Sequence, residues 1–442
     1  MDGQLLVRVY NVGLGDCIYL RVPDKARDVH ILIDCGNKFN TLELLGRRIA
    51  ELKPDLPDVG NGQKRLDLLV VSHPHEDHHK GFEEVFFEGI QIDRIWLSPA
   101  FDRLNPQAQG FHSLKEAAQR ALTSLSAFAA GDMQAEVEEL LSLSKKEAVD
   151  LLCKGLNKGI EPLYVTADTP PEQLKIFEDP DVQIKVLGPM GEIDRYYLGG
   201  QGLVSAPDDN SLQGMAEGYR ALFPPQQDER LQVPKNISLQ DFSNLRNRIH
   251  ANALAAAELA GHTENNLSVV LLLEWRGRRL LFPGDAEWSG KHDIQIKPGK
   301  SNSSWNVMWQ ERKADLEKPL DFLKIGHHGS ENATPWAPTG PDGKIPVINQ
   351  ILDALLPVPA AGKRPQGKAI ASTERTKRWV SIPDPALMQE LGRRVANARI
   401  TYVEDPSRLH VPPRKRQPQR TDLEAQVKKK PVPYIQLTFK PR

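Results

Sequence analysis

The sequence predicts an α/β fold enlarged by insertions, and three observations carry that prediction. Short apolar runs with strand character recur along the chain and break off in polar or glycine-containing turns. Stretches with helical spacing lie between them, and four histidines fall within seven residues, His73 to His79, directly behind one of the runs. Among 442 residues, 57 Lys and Arg face 58 Asp and Glu, and a net charge of −1 excludes a protein that coats nucleic acid or a membrane surface through its overall field. No apolar run approaches the roughly 18 residues of a membrane helix, and the start of the chain lacks the basic-then-apolar pattern of an export signal. Three cysteines, Cys17, Cys35 and Cys153, are too few for a disulfide framework, so a reducing, cytoplasmic location is expected.

Taken in order, Leu5 to Val22 alternates and then runs apolar, and His30 to Ile33 ends in the turn Asp34-Cys35-Gly36-Asn37, which predicts two strands joined by a hairpin. A helix is expected over Thr41 to Leu52, a buried strand over Leu66 to Ser72 and a single strand over Ile90 to Ser98. Ser113-Leu114-Lys115-Glu116 and Ser144-Lys145-Lys146-Glu147 have the form of capping boxes and open the helices of an insertion. Strands return at Leu163–Val165 and Val182–Leu187, Gly188 to Pro234 reads as a loop, and Ser238 to Ala260 reads as an alanine-rich helix with Gly261 as its C-cap. Ser268 to Pro283 spells a hairpin about Arg276-Gly277 that runs into Gly284-Asp285. Lys291 to Lys318 is polar and loop-like, and a strand at Phe322–Ile325 delivers Gly326-His327-His328-Gly329-Ser330. A strand near Ala369–Ser372, a helix over Pro385–Val395, a strand at Arg399–Val403 and a last strand at Tyr434–Phe439 complete the pattern. The last is preceded by the basic clusters Arg414-Lys415-Arg416 and Lys428-Lys429-Lys430.

Histidines and a carboxylate packed into one loop behind a buried strand suit neither an apolar core nor a solvated face. They are the donors that hold zinc and related ions, and a tight loop aims alternate side chains at one point. Two features stand around them: Asp34 closes an earlier strand, and Gly284-Asp285 and His327 close later ones. In this order His73-x-His75-x-Asp77-His78 resembles the metallo-β-lactamase fold. Six further segments make the chain similar to the soluble hydrolase domain of the late-competence DNA-uptake (ComEC-like) proteins. They are Asn11-Val12-Gly13-Leu14-Gly15-Asp16, the Ile31–Gly36 strand end, Val186-Leu187-Gly188-Pro189, Asn265 to Leu271, Leu281-Phe282-Pro283-Gly284-Asp285 and Gly326 to Ser330.

The resemblance implies an αββα sandwich over residues 1–405 with insertions near 103–160, 190–260 and 286–318, followed by a Pro- and basic-rich segment, 406–442, whose last strand returns to the domain. It implies two divalent metal ions, zinc first, with manganese or iron as alternatives. His73 and His75 would hold one, Asp77 and His78 the other, with Asp285 bridging and His327 completing the second site. Asp77 would also orient a metal-bound hydroxide, and Asp34 would accept a hydrogen bond from a ligand imidazole. The third histidine of the first metal is open: Gly261-His262-Thr263 resembles the element that supplies it in the wider fold, whereas the competence type has an asparagine-rich step there, here Asn265-Asn266. If the chain around His327 stays extended, His328 points the other way, as a proton donor, a phosphate contact or a packed residue, and Ser330 is a candidate oxyanion donor.

The implied activity is a metal-dependent phosphodiesterase or nuclease acting on DNA, RNA or a nucleotide. Two cations supply positive charge at the reacting phosphate, so the net charge of −1 argues only against broad coating. Lys80, Lys324 and the C-terminal clusters would add basic character, and the insertions could engage a protein partner. Two alternatives stay open, a lactonase- or thioesterase-type hydrolase of the same fold and a non-catalytic binding module.

Overall fold

The computed structural model describes residues 3–126, 146–198, 255, 257–363, 365, 367–374, 379, 381–401 and 433–442. The first half of the chain forms β1 (Leu5–Tyr10), β2 (Cys17–Pro23), β3 (Asp28–Cys35), β4 (Asp58–Gly60), β5 (Gln63–Leu66), β6 (Leu68–Val71), β7 (Ile90–Ile92), β8 (Ile95–Leu97) and β9 (Leu163–Tyr164). Further along come β10 (Val182–Gly188), β11 (Val270–Trp275), β12 (Arg278–Phe282), β13 (Phe322–Lys324), β14 (Lys368–Ser372), β15 (Asn397–Thr401) and β16 (Tyr434–Phe439). Between them lie the helices α1 (Leu42–Leu52), α2 (Glu76–His79), α3 (Gln109–Ser126), α4 (Lys146–Cys153), α5 (Ile193–Tyr197) and α6 (257–266). These are followed by α7 (Ser304–Glu311), α8 (Lys313–Leu316), α9 (Asn349–Leu355) and α10 (Pro385–Arg394).

The strands build an α/β architecture with two large mixed sheets, ordered β16-β1-β2-β3-β6-β8-β9 and β10-β11-β12-β13-β14-β15, and a small third sheet, β4-β5-β7. Strand periodicity explains how the sheets stack. Alternate residues of β1 (Leu5, Val7, Val9) and of β11 (Leu271, Leu273, Trp275) share one apolar core between the two sheets. The opposite face of the first sheet (Leu32, Leu69, Val71) is covered by Leu45, Ile49 and Leu52 of α1. The opposite face of the second (Leu272, Leu281, Leu323) is covered by Trp305 and Met308 of α7, Leu352 and Leu355 of α9, and Leu387 and Leu391 of α10. The layers therefore run helix, sheet, sheet, helix, and strands buried on both faces read as continuous apolar runs. β16 pairs antiparallel with β1 over six residues, Leu5↔Phe439 to Tyr10↔Tyr434.

Several elements differ from the sequence expectation for identifiable reasons. The first apolar region holds three strands rather than two, because Gly13 and Gly15, both at positive φ, turn the chain between β1 and β2. Ile90 to Ser98 splits into β7 and β8, which pair in different sheets. Ser113 is not a cap, since α3 already runs from Gln109. Gly261 is not a C-cap either: its added Cβ would meet nothing within 4 Å, and α6 continues through it to residue 266. The polar stretch 291–318 contains α7 and α8, because Trp305, Val307 and Met308 are buried despite their polar neighbours. Residues 199–254 of the expected loop and alanine-rich helix, Ser144, and the clusters at 414–416 and 428–430 lie outside the described residues. Among the described residues no helix is long and apolar enough to cross a membrane.

Candidate metal centre

The carboxyl ends of the strands in both sheets converge on one place. β3 carries Asp34 one residue before its end, β6 runs into Ser72 and the turn leading to α2, β12 runs on to Asp285, β13 to His327 and His328, and β14 ends in Ser372. Gly36 lets the first two meet, because a Cβ there would lie 2.3 Å from the carbonyl carbon of Asp77 and 2.4 Å from the nitrogen of His78. Gly36→Ala is therefore expected to displace the 77–78 peptide with little loss of secondary structure, and to lower the affinity of the Asp77–His78 group for an added divalent cation, measured by circular dichroism and chelator competition. Unchanged affinity would show that the peptide tolerates the shift.

Asp77, His78, Asp285 and His328 form a buried group whose donor atoms all lie within 4.8 Å of one another. His78 Nε2 stands 3.2 Å from Asp285 Oδ1, and His328 Nε2 stands 3.1 Å from Asp77 Oδ2. His73 Nε2 and His75 Nδ1 converge at 3.0 Å, and His73 Nε2 is 3.8 Å from Asp285 Oδ2. One carboxylate thus faces both histidine groups, an oxygen to each.

The far nitrogens of His78, His328 and His73 are anchored. Asp34, at φ 58°, turns its carboxylate back to accept from the Ser72 amide and hydroxyl, each at 2.7 Å, and lies 2.8 Å from His78 Nδ1. The Asp34–His78 contact puts the proton of neutral His78 on Nδ1 and leaves Nε2 as donor. His328 Nδ1 lies 3.0 Å from the Ser372 carbonyl, which can only accept, so that nitrogen carries a proton and Nε2 is the one turned to Asp77. The Ser72 and Ser268 hydroxyls lie 3.1 and 3.3 Å from His73 Nδ1.

Electrostatics follow from burial and from these contacts. Burial holds His73 well below the ordinary imidazole value, reinforced by His78 and His75. His78 is raised well above it: burial opposes the charge, but Asp285 and Asp34 outweigh that. Burial also opposes ionisation of Asp285 and Asp77, yet both are pushed well below the carboxylate range, Asp285 by His78 and His327, Asp77 by the His328 hydrogen bond and His78.

Several expected roles change. His328 does not point away, because His327 and His328 adopt left-handed φ values of 43° and 56°, and the turn presents both rings to the cluster. His328 takes the place among Asp77, His78 and Asp285 that His327 was expected to fill, while His327 Nε2 stands 3.8 Å from Asp285 Oδ2. His262 is half exposed on α6 and reaches Glu287 Oε2 at 2.7 Å; its described partners are Glu287 and Glu258, not His73 or His75. Asn265 Nδ2 donates to Glu287 Oε1 at 2.8 Å, and its Oδ1 has no described partner. The Ser330 hydroxyl donates to Asn332 Oδ1 at 2.6 Å, a local bond. Lys324 is buried in an ion pair with Asp16, and Lys80 pairs with Glu76 at 3.0 Å, so neither offers the substrate-facing charge expected of it. His79, pushed down to about 3 by burial, lies 3.2 Å from the Pro74 carbonyl and adds no charge.

Sequence reasoning missed Glu264, Glu287, Ser72, Ser268 and the Asp16–Lys324 pair. Two of these carried a signal: Glu264 sits next to the quoted Asn265-Asn266 step, and Asp16 closes the quoted glycine-rich turn. Ser72 and Ser268 looked like ordinary strand-end residues. No protein-family model matches this chain, and no curated protein matches it.

Proposed function

We propose that the chain is a metal-dependent hydrolase of the metallo-β-lactamase type that cleaves phosphodiesters in DNA, RNA or a nucleotide. The observation that carries the reading is the buried group Asp77, His78, Asp285 and His328 at the strand ends. The helix, sheet, sheet, helix layering supports the fold family. The donors suit a cation, since His78 Nε2 and Asp285 Oδ2 are buried polar atoms without a hydrogen-bond partner among the described residues, which a protein leaves unpaired only at a cost. His78, Asp77, Asp285 and His328 would hold one ion, and His73 and His75, with the other oxygen of Asp285, a second. Zinc, manganese or iron there would supply Lewis acidity to activate water and offset charge on phosphate oxygens.

The chain's own residues do the arranging. Asp34 and the Ser372 carbonyl orient the rings of His78 and His328, Asp285 spans the two groups, and the burial of Asp77, His78, Asp285 and His328 limits the water around them. The phosphodiester class comes from the ComEC-like resemblance of the motifs. The test is hydrolysis of single- and double-stranded DNA, RNA and cyclic nucleotides by protein chelated and reloaded with zinc or manganese, beside Asp77→Ala. Metal-dependent cleavage reduced by about 100-fold in the variant is expected. Cleavage unaffected by Asp77→Ala would remove the assignment, and turnover of lactones or thioesters alone would move the substrate class to carbonyl compounds.

A further inference from the structure

Helix α6 brings to the centre a carboxylate that none of these roles accounts for. Glu264 is buried, with Oε1 2.5 Å from Lys115 Nζ of α3 and Oε2 3.4 Å from His75 Nε2. That ring nitrogen lies opposite the Nδ1 that faces His73, and it has no other described partner. A neutral imidazole carries one N–H. Were it on Nδ1, the atom converging with His73 would be blocked, and a buried lone pair on Nε2 would face a carboxylate. On Nε2, the proton points at an acceptor and Nδ1 keeps its lone pair.

We infer that Glu264 is a positioning residue for His75: it takes the Nε2–H and thereby selects the tautomer whose Nδ1 is available to a cation, while Lys115 holds the carboxylate in place. The inference rests on the metal-centre reading. At 3.4 Å the contact is at the long edge of a hydrogen bond, and a ring movement of a few tenths of an ångström closes it. The arrangement repeats at His75 what Asp34 does at His78, but its source differs. Asp34 belongs to a sheet strand, whereas Glu264 and Lys115 come from helices in segments that interrupt the sheets. Those segments therefore help to build the centre rather than only surround it.

The test uses the metal-free, full-length protein labelled with 15N-histidine. Long-range 1H–15N correlation spectra, with His75 assigned by its loss in His75→Gln, report which nitrogen is protonated. The wild type is expected to be protonated at Nε2, Glu264→Ala to shift toward Nδ1, and Glu264→Gln, whose amide oxygen still accepts, to stay as wild type. Zinc affinity by chelator competition should fall about 10- to 100-fold in Glu264→Ala and stay near wild type in Glu264→Gln. A wild-type His75 protonated at Nδ1 overturns the inference without any variant. So does a Glu264→Ala protein, folded by circular dichroism, with unchanged tautomer and zinc affinity. Equal losses in Ala and Gln variants, with lowered melting temperatures, would reduce Glu264 to a packing role. If the wild type binds no zinc, the metal-centre reading fails, while the tautomer of the metal-free protein still decides what Glu264 does.

Discussion

Asp285→Ala is expected to empty both proposed cation positions together, leaving less than one zinc per chain and abolishing measurable phosphodiester turnover. The reason is geometric. Oδ1 stands 3.2 Å from His78 Nε2, Oδ2 stands 3.8 Å from His73 Nε2, and the His327 amide donates to Oδ1 at 3.1 Å. The carboxylate is also the leading influence that raises the buried His78 imidazole, so its removal disturbs the metal-free protein as well. The loss in zinc affinity should exceed the roughly 10- to 100-fold that follows loss of a residue hydrogen-bonded to a ligand. Elemental analysis after reconstitution checks this. Two tightly held ions in the variant would show that the carboxylate does not join the positions.

The second large effect concerns stability. Lys324 and Asp16 are each about 2% exposed and pair at 2.8 Å, with Lys324 also donating to the Ile325 carbonyl at 2.9 Å and Ser372 donating to Asp16. Lys324→Met should destabilise the metal-free protein by about 3–5 kcal/mol in urea unfolding, because it strands a buried carboxylate. The double variant Asp16→Asn/Lys324→Met should recover most of that, since removing both charges can be close to neutral. A single variant within about 1 kcal/mol of wild type would mean that water reaches Asp16. Because the Asp16 amide donates to the Asp77 carbonyl at 3.0 Å and its carbonyl accepts from Gly36, the single variant should also bind zinc more weakly.

What was legible in the sequence is what depends on short-range pattern. β10, β11, β12, β13, β14 and β16 fall where apolar runs bounded by Gly, Pro or Asp put them, and the Arg276-Gly277 hairpin turn adopts the positive φ values that its residues invite. The clustering of His73, His75, Asp77 and His78 was legible because they stand within six residues directly behind a buried strand. What escaped depends on tertiary context. The left-handed turn at His327-His328 cannot be read from two histidines in a row, yet it decides which ring joins Asp77. Glu264 and Lys115 are 149 positions apart, and nothing local marks either as a partner of the other. Gly261 looked like a helix end because a glycine after an alanine-rich run usually is one. Here Thr263, Glu264, Asn265 and Asn266 are buried, the last three with polar partners on other segments, and the helix runs on to residue 266.

The pairing of β16 with β1 has a consequence for how the molecule is made. β1 is buried along its whole length, and one of its two neighbours lies more than 400 residues further along the chain. At about 5–20 residues per second of synthesis, a ribosome takes roughly 20 to 90 s to deliver β16 after β1 has emerged. For that interval an apolar strand offers an open row of backbone donors and acceptors, the kind of edge on which chains aggregate. Yield in cells should therefore depend on how well that edge is shielded during translation.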